Sequence, residues 1–389
     1  MSPPAKKRKT TVTTTKKNKP KPMRPTPESS PILWLPDDLL LNCIARVSRL
    51  YYPTLSLVSK SFRSLVASPE LYKVRSLLGR TESCLYVCVW CGSKYRWFTL
   101  CRKPDKTLTK EEDSSKKKSS GYVLARASIP TSSYAMFWSF VAVGSNIYNI
   151  DTSSAMDCST TSTGPVSVSI LDCRSHTWRK SCSIFQVKRK SFSTSALDGK
   201  IYVAGFCNDD GSYKNSVEVF HTKTQTCDPV PFPFGFENGR IYKQTLCING
   251  KFHVVLLDRR VLAYDSEQGR WDEVLYPGMN QYMGWYSDSH CEIDSVLYSA
   301  ADGAIRWYDT EGRMWRELMG LAGLPELPDS SRVRLADYGG KMAVFWEHKS
   351  LLDSLERRQP CQIWGKVEWF DHVLTSYHHD IVKVVAATL

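Results

Sequence analysis

Four cysteines close together between residues 84 and 101 form the densest cluster of side chains in the sequence that could do chemistry. Cys88 and Cys91 form a CxxC pair, the spacing with which many proteins hold zinc through thiolates. Cys84 and Cys101 stand on either side of that pair at irregular spacing, inside an apolar, strand-like run. Thiols buried in strands are the alternative, and they need no metal. We expect buried thiols here, with no metal and no cofactor.

The histidines offer a second candidate for chemistry. The chain has eight, and only His378 and His379, followed by Asp380, form a local cluster. Such a cluster can hold a metal, but we interpret it as a solvated loop ahead of the last strand. The sequence has no glycine-rich phosphate loop, no nucleophile elbow and no HExxH motif. We therefore expect a binding protein without enzymatic activity of its own.

The elements that would position a partner begin with a helical block, residues 31–79. Pro36, Asp37 and Asp38 favour a helix start, and Gly79 favours a helix end. Apolar residues recur at helical spacing in two stripes: Leu40, Ile44 and Val47, then Leu55, Val58, Phe62 and Leu65. Four more leucines fall off these stripes: Leu35, Leu39, Leu41 and Leu57. We predict three short helices with exposed apolar side chains, which typically mark a partner site.

Four segments of this block closely resemble the F-box: LPDDL at 35–39, IAR at 44–46, LVSKSFRSL at 57–65 and SPELY at 68–72. The extension RSLLGRTE at 75–82 is similar to the form found in plant F-box proteins that carry kelch repeats. The resemblance implies docking on a Skp-type adaptor, which connects to a cullin. The implied adaptor-binding residues are Leu35, Pro36, Leu39, Ile44, Leu55, Val58, Lys60, Phe62 and Leu65. For the apolar ones, internal helix packing is the alternative.

The net charge of +13 is concentrated in an N-terminal tail. Residues 1–30 hold nine Lys or Arg and a single acid, whereas the remaining 359 residues carry only +5. The tail has almost no apolar content, so we expect it to be disordered. Its compact basic run suits nuclear import receptors; the run is Lys6, Lys7, Arg8 and Lys9. A solvated, non-specific tail is the alternative.

These features predict a protein of the nucleus and cytoplasm. A basic tail on a nearly neutral body argues against direct nucleic-acid binding, which would require a basic face. No run of eighteen apolar residues occurs, so we expect no membrane association.

From residue 84 to 389 the sequence is strand-like and repetitive. An apolar or aromatic residue is followed by Asp, and Trp comes six places after the Asp. The pairs are Asp172 and Trp178, Asp265 and Trp271, and Asp309 and Trp315. A degenerate copy keeps the spacing with His221 and Cys227, and small turns such as Asn249-Gly250 precede strands. The pattern resembles the kelch repeat, in which each repeat forms one blade of a β-propeller.

The kelch resemblance implies an all-β propeller over residues 84–389, with a polar loop insert at 103–120. We predict six blades, with five or seven as alternatives. The final run, residues 380–389, is expected to complete the first blade and leave no open edge. In a kelch blade the Trp packs between blades, and the Asp accepts backbone N–H bonds in a turn.

Together the two resemblances imply the substrate-recognition subunit of a Skp–cullin–F-box ubiquitin ligase, whose propeller binds an unidentified protein target. A kelch-propeller scaffold or regulator without a ligase role is the alternative. Candidate target-binding loop residues are Phe232, Phe234, Phe236, Arg240, Tyr282, Trp285 and Arg332. The run PFPF at 231–234 fits equally well as a packed linker between blades.

Overall fold

The computed structural model describes residues 35–91, 94–103, 121–130, 139–151, 166–185, 191–209, 212–233, 241–258, 260–274, 290–324, 327, 333–346, 349–359, 362–371 and 380–389. The chain divides into two compact units, residues 1–40 and residues 41–389. The described part of the first unit holds Leu35, Pro36 and the first residues of a helix that continues past residue 40.

The helical block contains four α-helices and a 3₁₀ helix. They are α1 (Asp37–Ala45), the 3₁₀ helix (Arg49–Tyr51), α2 (Tyr52–Val58), α3 (Lys60–Val66) and α4 (Pro69–Leu77). The second of the three predicted helices is divided at Ser59, which is extended, with φ −158° and ψ 167°. The Ser59 side chain accepts the Phe62 N–H at 3.1 Å, so the serine caps α3 instead of continuing α2. Gly79 ends the block with φ +61°, as its sequence position predicts.

The described strands form six four-stranded antiparallel sheets, here called blades 1 to 6. Blade 1 holds β24 (Asp380–Thr388), β1 (Ser83–Trp90), β2 (Tyr95–Arg102) and β3 (Tyr122–Arg126). Blade 2 holds β4 (Phe140–Val143), β5 (Asn146–Asp151), β6 (Val166–Asp172) and β7 (Thr177–Phe185). Blade 3 holds β8 (Ser191–Leu197), β9 (Lys200–Asp209), β10 (Ser212–His221) and β11 (Thr226–Val230).

The remaining blades repeat the same order. Blade 4 holds β12 (Ile241–Ile248), β13 (Lys251–Leu256), β14 (Val261–Asp265) and β15 (Arg270–Val274). Blade 5 holds β16 (His290–Ile293), β17 (Val296–Ala301), β18 (Ala304–Asp309) and β19 (Met314–Glu317). Blade 6 holds β20 (Val333–Asp337), β21 (Met342–Trp346), β22 (Lys349–Gln359) and β23 (Gln362–Asp371). The predicted fold class, a small helical block followed by a six-bladed all-β propeller, is confirmed.

The ring closes by pairing the last strand with the first. β24 runs antiparallel to β1, with Ser83 opposite Thr388. Beyond that pair, the Glu82 N–H donates to the Leu389 carbonyl at 2.8 Å, and the Leu389 N–H donates back at 2.9 Å. The last strand therefore completes blade 1, as predicted, and gives β1 a partner along its whole length.

Hairpin turns with left-handed backbone join the first two strands in each of blades 2 to 6. Asn249 and Gly250, between β12 and β13, have φ of +51° and +69°, the conformation that the Asn-Gly pair predicts. The cores that these hairpins support lie between neighbouring blades. Tyr202 of blade 3 stacks on Phe252 of blade 4, for example, with ring centroids 4.7 Å apart. Each blade thus buries its apolar faces against its neighbours.

The repeated Asp residues lie in the turns between the third and fourth strands. The Asp265 carboxylate accepts the backbone N–H groups of Glu267 and Gln268, both at 3.0 Å. Asp309 accepts those of Glu311 and Gly312, at 3.1 and 3.0 Å. In blade 2, Asp172 accepts the Arg174 N–H at 2.9 Å and also pairs with its guanidinium. Each carboxylate therefore closes a turn by hydrogen bonding to its backbone.

The repeated Trp residues lie on the fourth strands. Trp178 donates its indole N–H to the Pro130 carbonyl at 3.1 Å, in the linker that leads into blade 2. Trp271 donates to the Pro231 carbonyl at 2.7 Å, in the linker that leads into blade 4. In blade 5, Trp315 packs against Tyr308, with ring centroids 5.3 Å apart. In blades 2 and 4 the indole thus ties the last strand of a blade to the segment that enters it.

The cysteine candidates lie in the strands of blade 1. Cys84 and Cys88 are buried in β1 and Cys101 in β2, while Cys91 is half-buried after the end of β1. Burial raises the pKa of the Cys88 thiol, and it raises the pKa of Cys101 to about 12. Within the described ranges, no group of three or more His, Cys, Asp or Glu side chains could hold a metal ion. None of the helices in those ranges is long and apolar enough to cross a membrane.

Candidate interaction site: the helical block and its joint with the propeller

The nine predicted adaptor-binding residues differ in exposure. Five are exposed: Leu35, Pro36, Leu39, Val58 and Lys60. Leu55 and Leu65 are half-buried, while Ile44 and Phe62 are buried in the block. The two buried side chains make the internal packing that the alternative describes, so the exposed residues are the ones available to a partner in this conformation. Adaptor contact remains a prediction for all nine.

Large apolar side chains face solvent on several helices of the block. The exposed fraction is 74% for Leu57 and 64% for Val58 at the end of α2, and 87% for Leu77 at the end of α4. These values are the highest among the large apolar residues that the structure describes. Apolar surface of this kind is favourably covered by a partner.

Arg75 is the centre of the helical block. Its side chain is 2% exposed and follows Leu71 by one helical turn on the buried face of α4. It donates hydrogen bonds to the carbonyl oxygens of Ala45, Val47 and Arg80, to the hydroxyl of Tyr52 and to the carboxylate of Glu82. A buried cation is tolerated only when it is paired and hydrogen-bonded in this way. Arg75 therefore holds the ends of three helical segments around one guanidinium.

Glu82 joins the helical block to the propeller. One carboxylate oxygen accepts the Arg75 guanidinium at 2.7 Å and the Arg49 backbone N–H at 2.5 Å. The other oxygen accepts the Ser48 hydroxyl at 2.9 Å. Because the backbone of the same residue pairs with Leu389, Glu82 holds the helices with its side chain and the ring closure with its main chain.

Arg49 extends the joint to blade 2. Its guanidinium lies 5.4 Å from the centroid of the Tyr72 ring and 3.4 Å from both the Tyr86 hydroxyl and the Cys173 carbonyl oxygen. Tyr86 donates its hydroxyl hydrogen to the Cys173 carbonyl at 2.9 Å. Its oxygen is therefore left to accept from Nε2 of His176, 3.0 Å away. One arginine thus contacts a helix, a strand of blade 1 and a turn of blade 2.

His176 is uncharged at neutral pH in this environment. Burial, followed by the nearby Arg49 cation, lowers the pKa of its imidazole to about 4. The positive charges of the joint are therefore those of its arginines, and the His176 imidazole acts as a neutral hydrogen-bond donor.

Sequence reasoning missed this joint. The sequence assigned no role to the three residues of the joint. Arg75 and Glu82 lie in the extension RSLLGRTE at 75–82, and Arg49 lies in the helical block. One signal was available for Arg75, since it falls one helical turn after Leu71 on an otherwise apolar face. No comparable signal marks Arg49, because its partners lie far away in the chain.

Of the candidate target-binding residues, Phe232 falls within the described ranges. Its ring packs edge-on against Trp271, with centroids 5.5 Å apart, next to the Pro231 carbonyl that Trp271 hydrogen-bonds. Phe232 is therefore part of a packed linker between blades 3 and 4. The other six, together with His378, His379, the insert at 104–120 and the basic run Lys6, Lys7, Arg8 and Lys9, lie outside the described residues.

The fold defines a β-propeller protein that carries a short helical block ahead of its first blade. The family model described as "FKB95, Kelch-repeats domain" matches residues 97–374, and the F-box domain model matches residues 32–74. The chain therefore belongs to the F-box/kelch-repeat family, and the resemblance inferred from the sequence is confirmed.

Three relatives from Arabidopsis thaliana illustrate the match. F-box/kelch-repeat protein At5g51250 is 53% identical over 91% of this chain and 99% of its own length. F-box/kelch-repeat protein At4g39550 is 44% identical over the whole of both chains. Putative F-box/kelch-repeat protein At5g38680 is 50% identical over 92% of this chain and 95% of its own length. The likeness therefore extends over both the helices and the propeller.

Proposed function

We propose that this protein is the substrate-recognition subunit of a Skp–cullin–F-box ubiquitin ligase. The F-box helices bind a Skp-type adaptor, which connects to a cullin, and the propeller binds the protein to be modified. One observation carries this proposal: the F-box helices expose large apolar side chains in a chain that also builds a closed kelch propeller. The first feature fits a docking surface, and the second fits a receptor.

The chain itself does no covalent chemistry in this mechanism. It raises the effective concentration of target lysines near a charged conjugating enzyme, which converts a bimolecular encounter into a nearly intramolecular one. The joint supports such a role because the hydrogen bonds of Glu82 and Arg49 link helices to blades 1 and 2. A receptor of this kind needs a defined distance between its adaptor and its cargo.

Binding to a Skp-type adaptor tests the F-box half of the proposal. The purified full-length chain is expected to retain the adaptor in a pull-down, and the double variant Leu35→Ala, Pro36→Ala is expected to lose most of it. Leu257→Ala is the matched control, because this exposed leucine follows β13 of the propeller. Equal recovery of the adaptor by the double variant and the control would count against the assignment.

Ubiquitin transfer separates the ligase from the scaffold alternative. A form lacking residues 31–79 traps targets in proximity labelling, and the intact chain is then reconstituted with adaptor, cullin and conjugating enzyme. Adaptor-dependent ubiquitin transfer to a trapped target supports the proposal. Adaptor binding without transfer to any trapped target favours the scaffold. We further propose that Lys6, Lys7, Arg8 and Lys9 direct part of the protein to the nucleus, the rest remaining in the cytoplasm.

A further inference from the structure

A cavity of about 490 Å³ lies at the joint between the helical block and the propeller. The 3₁₀ helix, α2, α3 and α4 form one side, with Arg49, Arg63 and Tyr72 among the lining residues. Strands β2 and β3 and the turn before β7 form the other side, with Arg126 and His176. A cavity of this volume has the size of a site for a small organic molecule.

Positive charge predominates in this lining. Four arginines line the cavity, namely Arg49, Arg63, Arg126 and Arg174, against one carboxylate, that of Glu82. Glu82 is already paired with Arg75 at 2.7 Å, and Arg174 is paired with Asp172 at 2.8 Å. Among the described residues, no carboxylate lies within ion-pair distance of the other three arginines.

The remaining titratable groups of the lining add no negative charge at neutral pH. Burial raises the pKa of the Cys84 and Cys101 thiols and of three tyrosine hydroxyls, so all five stay protonated; the tyrosines are Tyr52, Tyr72 and Tyr338. His176 is neutral because its pKa lies near 4. The lining thus carries an excess of positive charge that the residues described by the structure do not neutralise.

The hydrogen bonds that the Arg49 guanidinium makes within the protein are long, so it could bind an anionic group more strongly than it binds these partners. Its hydrogen bonds to Tyr86 and to Cys173 are all 3.4 Å long, near the limit for such a bond. Arg63 and Arg126 are exposed, and Arg63 donates one bond of 3.2 Å to the Ser56 carbonyl. A guanidinium makes its strongest hydrogen bonds to carboxylate and phosphate oxygens.

We propose that the cavity binds a small organic anion, in which a phosphate ester or a carboxylate is attached to an apolar body. Arg49, Arg63 and Arg126 receive the anionic group, while Tyr72 and Leu100 contact the apolar part. Such a ligand would contact the helical block and blade 1 at once. It would therefore stabilise the joint by binding only the folded arrangement. None of the nine predicted adaptor-binding residues lines this cavity.

Calorimetric titration and thermal unfolding of the purified full-length chain test the site, with phenyl phosphate and benzoate as anionic probes. Benzylamine and benzyl alcohol are the cationic and neutral controls, all at matched ionic strength. Both anions, or one of them, should bind at a single site and raise the melting temperature. The double variant Arg63→Gln, Arg126→Gln should bind at least about tenfold more weakly. Both of its substitutions are at exposed residues, so the variant should fold normally.

The control variant is Arg270→Gln, Arg313→Gln, which removes two exposed arginines that do not line the cavity. It should bind like the wild type. A stronger response to phenyl phosphate assigns a phosphate-bearing ligand, and a stronger response to benzoate assigns a carboxylate. The proposal is overturned if neither anion binds, if benzylamine binds as well, or if the control variant loses as much affinity as the cavity variant.

Discussion

The helical block and the propeller bury their apolar side chains in opposite ways. The block surrounds a buried arginine with a few apolar residues and leaves Leu57, Val58 and Leu77 in solvent. The propeller divides its apolar residues among clusters between neighbouring blades, where stacked pairs such as Tyr202 and Phe252 repeat around the ring. The blades therefore cover one another's apolar faces, whereas the block leaves apolar surface for a partner.

The two regions also use charge differently. In the block and at its joint, charged groups hold the architecture together, through Arg75, Glu82 and Arg49. In the propeller, carboxylates such as Asp265 close surface turns, and the contacts between blades are apolar clusters beside a few neutral hydrogen bonds, such as that from the Thr245 to the Ser193 hydroxyl. A short helical segment has too little apolar surface to fix its position. Hydrogen bonds to a buried cation supply the missing specificity at the joint.

The largest expected effect comes from Arg75→Met, which keeps the side-chain volume but removes the charge. We expect a loss of about 3–5 kcal/mol in the free energy of unfolding, because Glu82 and several backbone carbonyls lose their partner. Denaturant unfolding measures it, with Leu57→Ala as a control expected to change stability by less than about 0.5 kcal/mol. If Arg75→Met were as mild as the control, the block would not depend on its buried cation.

A smaller effect is expected from Trp271→Ala in the propeller. Trp271 is half-buried, so the loss should be about 3 kcal/mol, at the lower end for removal of an aromatic side chain. Trp271→Phe should lose less, because the ring contacts with Phe232 and Tyr264 are kept and only the bond to Pro231 is removed. An unchanged melting temperature for Trp271→Ala would contradict its role in blade packing.

The smallest effect is a pH response that belongs to the propeller. His253 is 1% exposed, and its Nδ1–H donates to the Lys251 carbonyl at 2.9 Å. Burial lowers its pKa to about 4 from 6.5. The unfolded chain therefore takes up a proton below pH 6.5 while the folded chain does not, and stability falls as the pH drops toward 4. Between pH 7 and pH 5 this group should cost about 2 kcal/mol.

The measurement compares unfolding free energies at pH 7 and pH 5 for the wild type and His253→Gln. The comparison between the two proteins is needed because other groups titrate in the same range. His176 acts in the same direction as His253, and Glu292, whose pKa burial raises to about 7, acts in the opposite one. If the variant kept the full pH dependence of the wild type, the imidazole would not be its source.

Most of the fold could be predicted from the sequence because its signals are local. Turn pairs such as Asn249-Gly250 and the spacing from Asp265 to Trp271 act within one hairpin, so each blade can be recognised separately in the sequence. The division of the second predicted helix was not foreseen. Ser59 lies between the apolar residues of the second stripe and does not interrupt their helical spacing. Its side chain nevertheless accepts the Phe62 N–H, and this capping bond competes with continuation of the helix.

By itself, the sequence determined the helical block with its surplus leucines, the six repeats and the strand that closes the ring. The helices and the repeats depend on neighbours within a few turns of chain, and the closing strand was predicted from the incomplete first blade. Only the tertiary structure decided how the block is joined to the blades. Arg49 meets Glu82 across 33 residues and the Cys173 carbonyl across 124. Such contacts form only when the helices pack against blades 1 and 2, because the partners lie far apart in the chain.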